Sequence, residues 1–139
     1  MKLFGTDGIR GEFNKSPIKH DELIKIGHAF AKSLFGTKRG KVLISNDGRE
    51  SSSSVESSLA LGIKHQGSEV FFIGLYPTPA LSIYLNSSAQ TSELRAGIQI
   101  TASHNPYYDN GVKFFDNNGY KINNSLEKVI EENYISYNE

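Results

Sequence analysis

The chain has 139 residues, with 15 Lys+Arg against 15 Asp+Glu, and no Cys. Without Cys there are no disulfides, thiolate nucleophiles, zinc fingers or iron–sulfur clusters. Zero net charge argues against a nucleic-acid or membrane partner held by long-range attraction, and no apolar run approaches the ~18 residues of a membrane span. The length suits one domain, residues 1–139, able to fold without a staple. Met1-Lys2-Leu3-Phe4-Gly5-Thr6-Asp7-Gly8 has no apolar signal core, so the expected location is cytoplasmic.

Taken in order, Leu23, Ile26, Phe30 and Leu34 make one helical face between Asp21 and Leu34, with Gly36 in the capping zone. Val42-Leu43-Ile44 predicts a strand buried on both faces, ending in the turn residues Asn46-Asp47-Gly48-Arg49. Ser53 and Glu56 have capping-box spacing for a second helix striped by Val55, Leu59 and Ile63. Val70 to Ile73 predicts a second buried strand. Thr78 before Pro79 suits the start of a short helix to about Leu85, and Asn86 to Ser92 reads as polar linker. Gly97 to Ile100 predicts a third strand. Val112–Phe115 and Tyr120–Ile122 flank Asn118-Gly119, which predicts a hairpin with a type I′ turn. Asn124 with Glu127 then opens a final helix striped by Leu126, Val129 and Ile130.

This alternation predicts an α/β fold: a three-layer mixed sheet, mainly parallel, with helices on both faces and a C-terminal hairpin. Ligands of open α/β sheets gather beyond the carboxyl ends of the parallel strands. Asp47, Thr78 and Ser103 each follow a predicted strand at that edge.

Three segments carry candidate chemistry. Thr101-Ala102-Ser103-His104-Asn105-Pro106 places a hydroxyl, an imidazole and an amide directly after a buried strand, and Pro106 keeps the residues before it out of a helix. An ordinary strand-end loop is the plainer reading, but the Ser-His pair falls on the ligand edge. A serine hydrolase fits badly: adjacent Ser103 and His104 rarely orient as nucleophile and base, and there is no Gly-x-Ser-x-Gly elbow. Gly5-Thr6-Asp7-Gly8-Ile9-Arg10-Gly11 allows close backbone approach to a ligand and offers Arg10 as a fork for phosphate, though glycine-rich turns with an arginine are common. In Tyr107 to Phe115, alternation puts Lys113 on the face opposite Val112 and Phe114. A lone strand lysine is usually a solvated edge charge; one flanked by aromatics close after the Ser-His loop could instead move protons. His20, His28 and His65 show no ligand spacing, and no Asp-x-Asp pair offers a self-contained magnesium site.

Phe4-Gly5-Thr6-Asp7-Gly8-Ile9-Arg10-Gly11, Gly74-Leu75-Tyr76-Pro77-Thr78-Pro79-Ala80 and Thr101-Ala102-Ser103-His104-Asn105-Pro106 together resemble the α-D-phosphohexomutases. Tyr108-Asp109-Asn110-Gly111-Val112-Lys113-Phe114-Phe115 resembles their phosphoglucosamine mutase branch. Ser45-Asn46-Asp47-Gly48-Arg49 departs from the family's usual Gly-Arg-Asp-Thr-Arg, keeping Asp47 and Arg49.

The resemblance implies a phosphate on Ser103 that passes to a phosphorylated hexosamine, forms a bisphosphate, and returns from its other end. Arg10 would stabilise phosphate charge, and His104 and Lys113 would bind it and exchange the hydroxyl proton. Magnesium would bridge the Ser103 phosphate, and a sugar bisphosphate would serve as activator. The resemblance covers the family's first domain only. It implies partnership with downstream domains that would supply the metal loop and sugar selection, and leaves a homodimer possible. Alternatives are the first domain of a phosphomannomutase/phosphoglucomutase, or a mutase-like module that binds or dimerises without catalysis.

Overall fold

The computed structural model describes residues 2–75, 81, 85, 94–101 and 105–137. Its elements are β1 (Ile9–Glu12), α1 (His20–Phe35), β2 (Lys41–Asn46), α2 (Ser52–Gln66), β3 (Glu69–Leu75), β4 (Arg95–Ile100), β5 (Asp109–Phe115) and α3 (Asn124–Ile135). The strands form one five-stranded sheet in the order β1-β5-β4-β2-β3. β2 pairs parallel with β3 and β4, while β5 runs antiparallel to both β4 and β1.

Period-two alternation divides the sheet into two faces. Ile9, Val42, Ile44, Ala96, Ile98, Ile100, Val112 and Phe114 join the main core with the apolar stripes of α1, α2 and α3. Leu43 and Phe115 point the other way and pack with Leu81 and Leu85. The sheet therefore has apolar cover on both sides, as the α/β reading expects.

α1 and α2 touch through their backbones. A methyl built on Gly62 would overlap the carbonyl oxygen of Ile24 and lie 2.7 Å from the His28 nitrogen. On the opposing helix, one built on Gly27 would overlap the carbonyl oxygen of Leu59. Glycine lowers intrinsic helix stability by roughly 1 kcal/mol relative to alanine, a cost that close packing of the two helices offsets.

Several local expectations are corrected. β3 is an edge strand, with Phe71 42% and Phe72 51% exposed, so its apolar run does not mark a strand buried on both faces. α2 begins at Ser52 after Ser51, whose side chain makes no capping bond, so the Ser53–Glu56 box does not form. α3 is capped one residue before Asn124: the Asn123 side chain accepts from Leu126 N–H at 2.8 Å. Val129 stays 40% exposed, and Tyr134 joins Ile130 in the core.

The hairpin after β5 reduces to one bridge, Phe115 to Lys121. Gly119 has φ +85° but Asn118 is not in the positive-φ region, so the turn is not type I′. Asp116 organises it instead, its carboxylate accepting from Asn118 and Tyr120 N–H. The antiparallel part of the sheet comes from β5 and from β1, a strand the sequence pattern did not signal. The predicted Thr78–Pro79 helix start and the Asn86–Ser92 linker lie outside the described residues.

Candidate functional site

The carboxyl ends of β2, β3 and β4 share one edge of the sheet. At that edge the second face turns polar. Ser45 of β2 faces Gln99 of β4, which faces Lys113 of β5. Ser45 and Gln99 are buried and hydrogen-bonded to each other through their side chains.

β1 brings Arg10 into this row. Arg10 pairs with Gly111, two residues from Lys113 on β5, which places the Arg10 and Lys113 backbones on a diagonal of about 7–8 Å on one face. Gly111 makes room for the arginine: a Cβ there would lie 2.8 Å from Arg10 Cγ. Gly8 sets the entry of β1. It has φ +89°, and a Cβ there would run into the Val112 carbonyl, 3.3 Å from Lys113 Cα. A Gly5 N–H to Gly8 O bond of 2.8 Å closes the turn before it. The close approach made by this glycine segment is thus to the backbone of β5.

Arg10 Nη1 donates to Asn105 Oδ1 at 3.3 Å, across 95 residues of sequence. Asn105 is the residue after His104. Its amide nitrogen donates to Asp109 Oδ2 at 3.2 Å, and Asp109 N–H donates to the Pro106 carbonyl at 3.0 Å. Arg49, from the loop after β2, closes the same turn from outside. Its Nη1 lies 3.2 Å from the Asn105 carbonyl, 2.8 Å from that of Pro106 and 3.3 Å from that of Asp109. Asp47 aims it, accepting from Arg49 Nε at 3.0 Å. Buried Asn110 ties β5 to the start of α2, donating to Ser51 Oγ at 2.8 Å.

Of the four site residues expected from sequence, Arg10 and Lys113 lie on one sheet face, with Arg10 against Asn105. Ser103 and His104 lie outside the described residues; β4 does end at Ile100, as expected. Lys113 is half-buried and borders a cavity of about 170 Å³ together with Asp7, Lys121 and Glu127. Lys121 Nζ donates to the Thr6 carbonyl at 2.5 Å, steadying the turn before β1. Among the described residues no three His, Asp or Glu side chains group to hold a metal ion, so those residues provide no carboxylate cage of the kind a hard cation needs.

Sequence reasoning left Arg49 and Asn110 without roles, although Asp47 and Arg49 stood out as the pair retained in the departing loop. It also missed Glu56 as a buried acid. Glu56 is 9% exposed, and burial raises its pKa above the ordinary 4.5, partly opposed by a hydrogen bond from Asn46. Asn46 Oδ1 in turn accepts from Gly48 N–H at 2.8 Å, so this acid supports the loop that carries Asp47 and Arg49.

The whole chain, residues 1–139, matches the family model described as phosphoglucomutase/phosphomannomutase, alpha/beta/alpha domain I. A phosphoglucosamine mutase of Hamiltonella defensa is 46% identical over 130 residues, covering 94% of this chain and 28% of that protein. A phosphoglucosamine mutase of Dechloromonas aromatica is 44% identical over 136 residues, with 94% and 29% covered. The chain thus spans less than a third of the length of these relatives. A phosphoglucomutase/phosphomannomutase family protein of Burkholderia thailandensis superposes with TM-score 0.78 at 29% identity, covering 96% of this chain and 30% of that one. The Paramecium phosphoprotein pp63/parafusin shares the fold, with TM-score 0.75 at 24% identity over 96% of this chain and 25% of its own.

Proposed function

Because the chain belongs to the phosphoglucomutase/phosphomannomutase family, we propose that it is the phosphoserine-bearing first domain of a phosphoglucosamine mutase. The observation that carries this reading is the contact of Arg10 with Asn105, which draws the glycine-rich segment to the residue that follows the Ser103-His104 pair. Identity of 44–46% to phosphoglucosamine mutases supports the branch.

Phosphoryl transfer asks for alignment and charge neutralisation more than for a strong nucleophile. Ser103 carries the phosphoryl group. Arg10, held by its Asn105 contact, neutralises phosphate charge with a planar fork. Lys113 and His104 bind phosphate and exchange the proton of the sugar hydroxyl. The sugar enters as a 6-phosphate, takes the serine phosphoryl group to become a bisphosphate, and leaves as the 1-phosphate after returning the other. A magnesium ion held at the Ser103 phosphate would supply further charge neutralisation, with its other ligands drawn from outside the described residues. Sugar selection also lies beyond this chain. The phosphomannomutase/phosphoglucomutase reading rests on the shared fold with the Burkholderia protein.

The test is incubation of the chain with glucosamine 1,6-bisphosphate, with the glucose and mannose bisphosphates in parallel, followed by peptide mass spectrometry. One phosphoryl group on Ser103, absent in Ser103→Ala, is expected without sustained mutase turnover, since these residues span less than a third of the mutases they match and turnover needs the sugar enclosed and aligned. Labelling confined to other residues would refute the reading. Sustained turnover that Ser103→Ala abolishes would refute the need for other domains. Comparable labelling from all three bisphosphates is expected, since sugar selection lies beyond this chain.

A further inference from the structure

We propose that Arg49 is a positioning residue that holds the Asn105–Asp109 turn in register with Arg10; this rests on the function proposed above. Arg49 makes contacts in two directions. Nε is held by Asp47 Oδ2, and Nη1 is within hydrogen-bond distance of the carbonyls of Asn105, Pro106 and Asp109. Its side chain is only 14% exposed; the contacts to the Asn105 and Asp109 carbonyls are part-buried, while those to Asp47 and Pro106 are exposed to solvent.

Each end of the clamp is anchored. Asp47 Oδ1 lies 3.3 Å from the Arg49 N–H, and Asp47 N–H donates to the Ile100 carbonyl at the end of β4. At the far end, Asn105 is held at three points: its backbone by Arg49, its side-chain oxygen by Arg10, its side-chain nitrogen by Asp109. Arg49 therefore acts through the loop rather than on substrate.

The contacts explain the residue types. Only a guanidinium offers one N–H to a carboxylate and another, at a fixed angle, to carbonyls. A lysine is a single point charge and cannot span both. Within Ser45-Asn46-Asp47-Gly48-Arg49, Arg49 touches the turn and Asp47 holds Arg49.

The experiment compares wild type, Arg49→Ala, Arg49→Lys and Asp47→Asn of the full chain. Hydrogen exchange by mass spectrometry is read on a peptide covering residues 105–112 and on β2. Phosphoryl uptake at Ser103 from glucosamine 1,6-bisphosphate is read as maximal rate and half-saturating concentration. In Arg49→Ala, exchange of the loop peptide should rise about tenfold while β2 is unchanged. Maximal uptake should fall on the order of 100-fold with half-saturation little moved, the signature of misplacement rather than lost binding. Millimolar guanidinium should restore part of both; Arg49→Lys should resemble Arg49→Ala, and Asp47→Asn should fall between. Unchanged loop exchange in Arg49→Ala would overturn the clamp. Looser exchange with wild-type uptake would overturn its positioning role. If wild type takes up no phosphate, the proposed function fails while loop exchange still decides the clamp. If Arg49→Ala does not fold, Asp47→Asn decides it by the same exchange measurement.

Discussion

Gly8→Ala should destabilise the domain by about 3 kcal/mol, through two separable effects. Gly8 has φ +89°, and an L-residue forced into left-handed backbone costs roughly 1–2 kcal/mol. The added methyl would also meet the Val112 carbonyl, lying 3.1 Å from its carbon. That neighbour is β5 backbone, which cannot swing aside, and overpacking of this kind costs roughly 1–3 kcal/mol. For 139 residues, unfolding entropy of about 0.3 kcal/mol per kelvin converts 3 kcal/mol into a Tm loss of ~10 °C. Gly67→Ala is the control: it has φ +113° with nothing within 4 Å of a built Cβ, so it carries the backbone effect alone and should lose about 3–7 °C. Thermal denaturation followed by circular dichroism reads both. Gly8→Ala should also speed amide exchange in β1, because the clash separates β1 from β5. Equal Tm losses in the two variants would refute the claim that Gly8 is fixed by its approach to β5.

Three further predictions concern charged groups. Glu131 Oε2 accepts from Leu3 N–H at 2.6 Å and from Phe4 N–H at 3.2 Å; Glu131→Ala should cost about 2 kcal/mol in urea denaturation and Glu131→Gln less, since it keeps an acceptor, and equal losses would contradict the capping role. Glu56 has its pKa raised by burial, so the native state holds the proton more tightly than the unfolded chain and the charged form costs stability above the folded pKa. Glu56→Gln should therefore raise Tm at pH 7, with the gain vanishing as pH falls below the ordinary 4.5; a gain constant across pH would count against that cause. His28 has its pKa lowered by burial, then by Lys32 and His65, so stability present above the unfolded value of 6.5 should be lost as pH falls through 6.5 toward the folded pKa. His28→Phe, which keeps a ring against Tyr137, should remove that loss, and an unchanged acid limb of the Tm profile would exclude His28 as its source.

The sequence was most readable where one kind of force acts alone. Val42 to Ile44 is a strand with apolar side chains buried on both faces, Gly97 to Ile100 buries Ile98 and Ile100 on one face with Gln99 on the other, and Leu23, Ile26 and Phe30 mark α1 by spacing. Phe71 and Phe72 carry the same local signal as a central strand; only sheet order, a long-range property, puts them at the edge. β1 was invisible because Ile9-Arg10-Gly11-Glu12 has one apolar residue, and its pairing comes from β5 rather than from propensity. Arg10 and Lys113 were legible as residue types, and alternation assigned the face of Lys113. Arg49 was noticed as a retained residue but its work was not, because three carbonyl contacts across a turn leave no pattern in side-chain chemistry. Asn123 displaced Asn124 as the cap of α3 because the two asparagines are equivalent in sequence and differ only in backbone angle.

The antiparallel strands matter for more than sheet size. In a wholly parallel sheet, each strand delivers to the ligand edge only the loop that follows it. β5 runs the opposite way, so Asp109 starts at that edge and Lys113 lies farther down the same sheet face. β1, antiparallel to β5, then brings Arg10 in from near the N-terminus. Two basic side chains thus come from the sheet itself, on strands whose other faces bury Ile9, Val112 and Phe114 in the main core. A residue built into a ladder is better fixed than one on a loop, and phosphoryl transfer depends on fixed charge. The turn at Asn105–Asp109 has no ladder of its own; it leads from the Ser103-His104 segment into β5, and it is there that Arg10 and Arg49 converge from opposite sides.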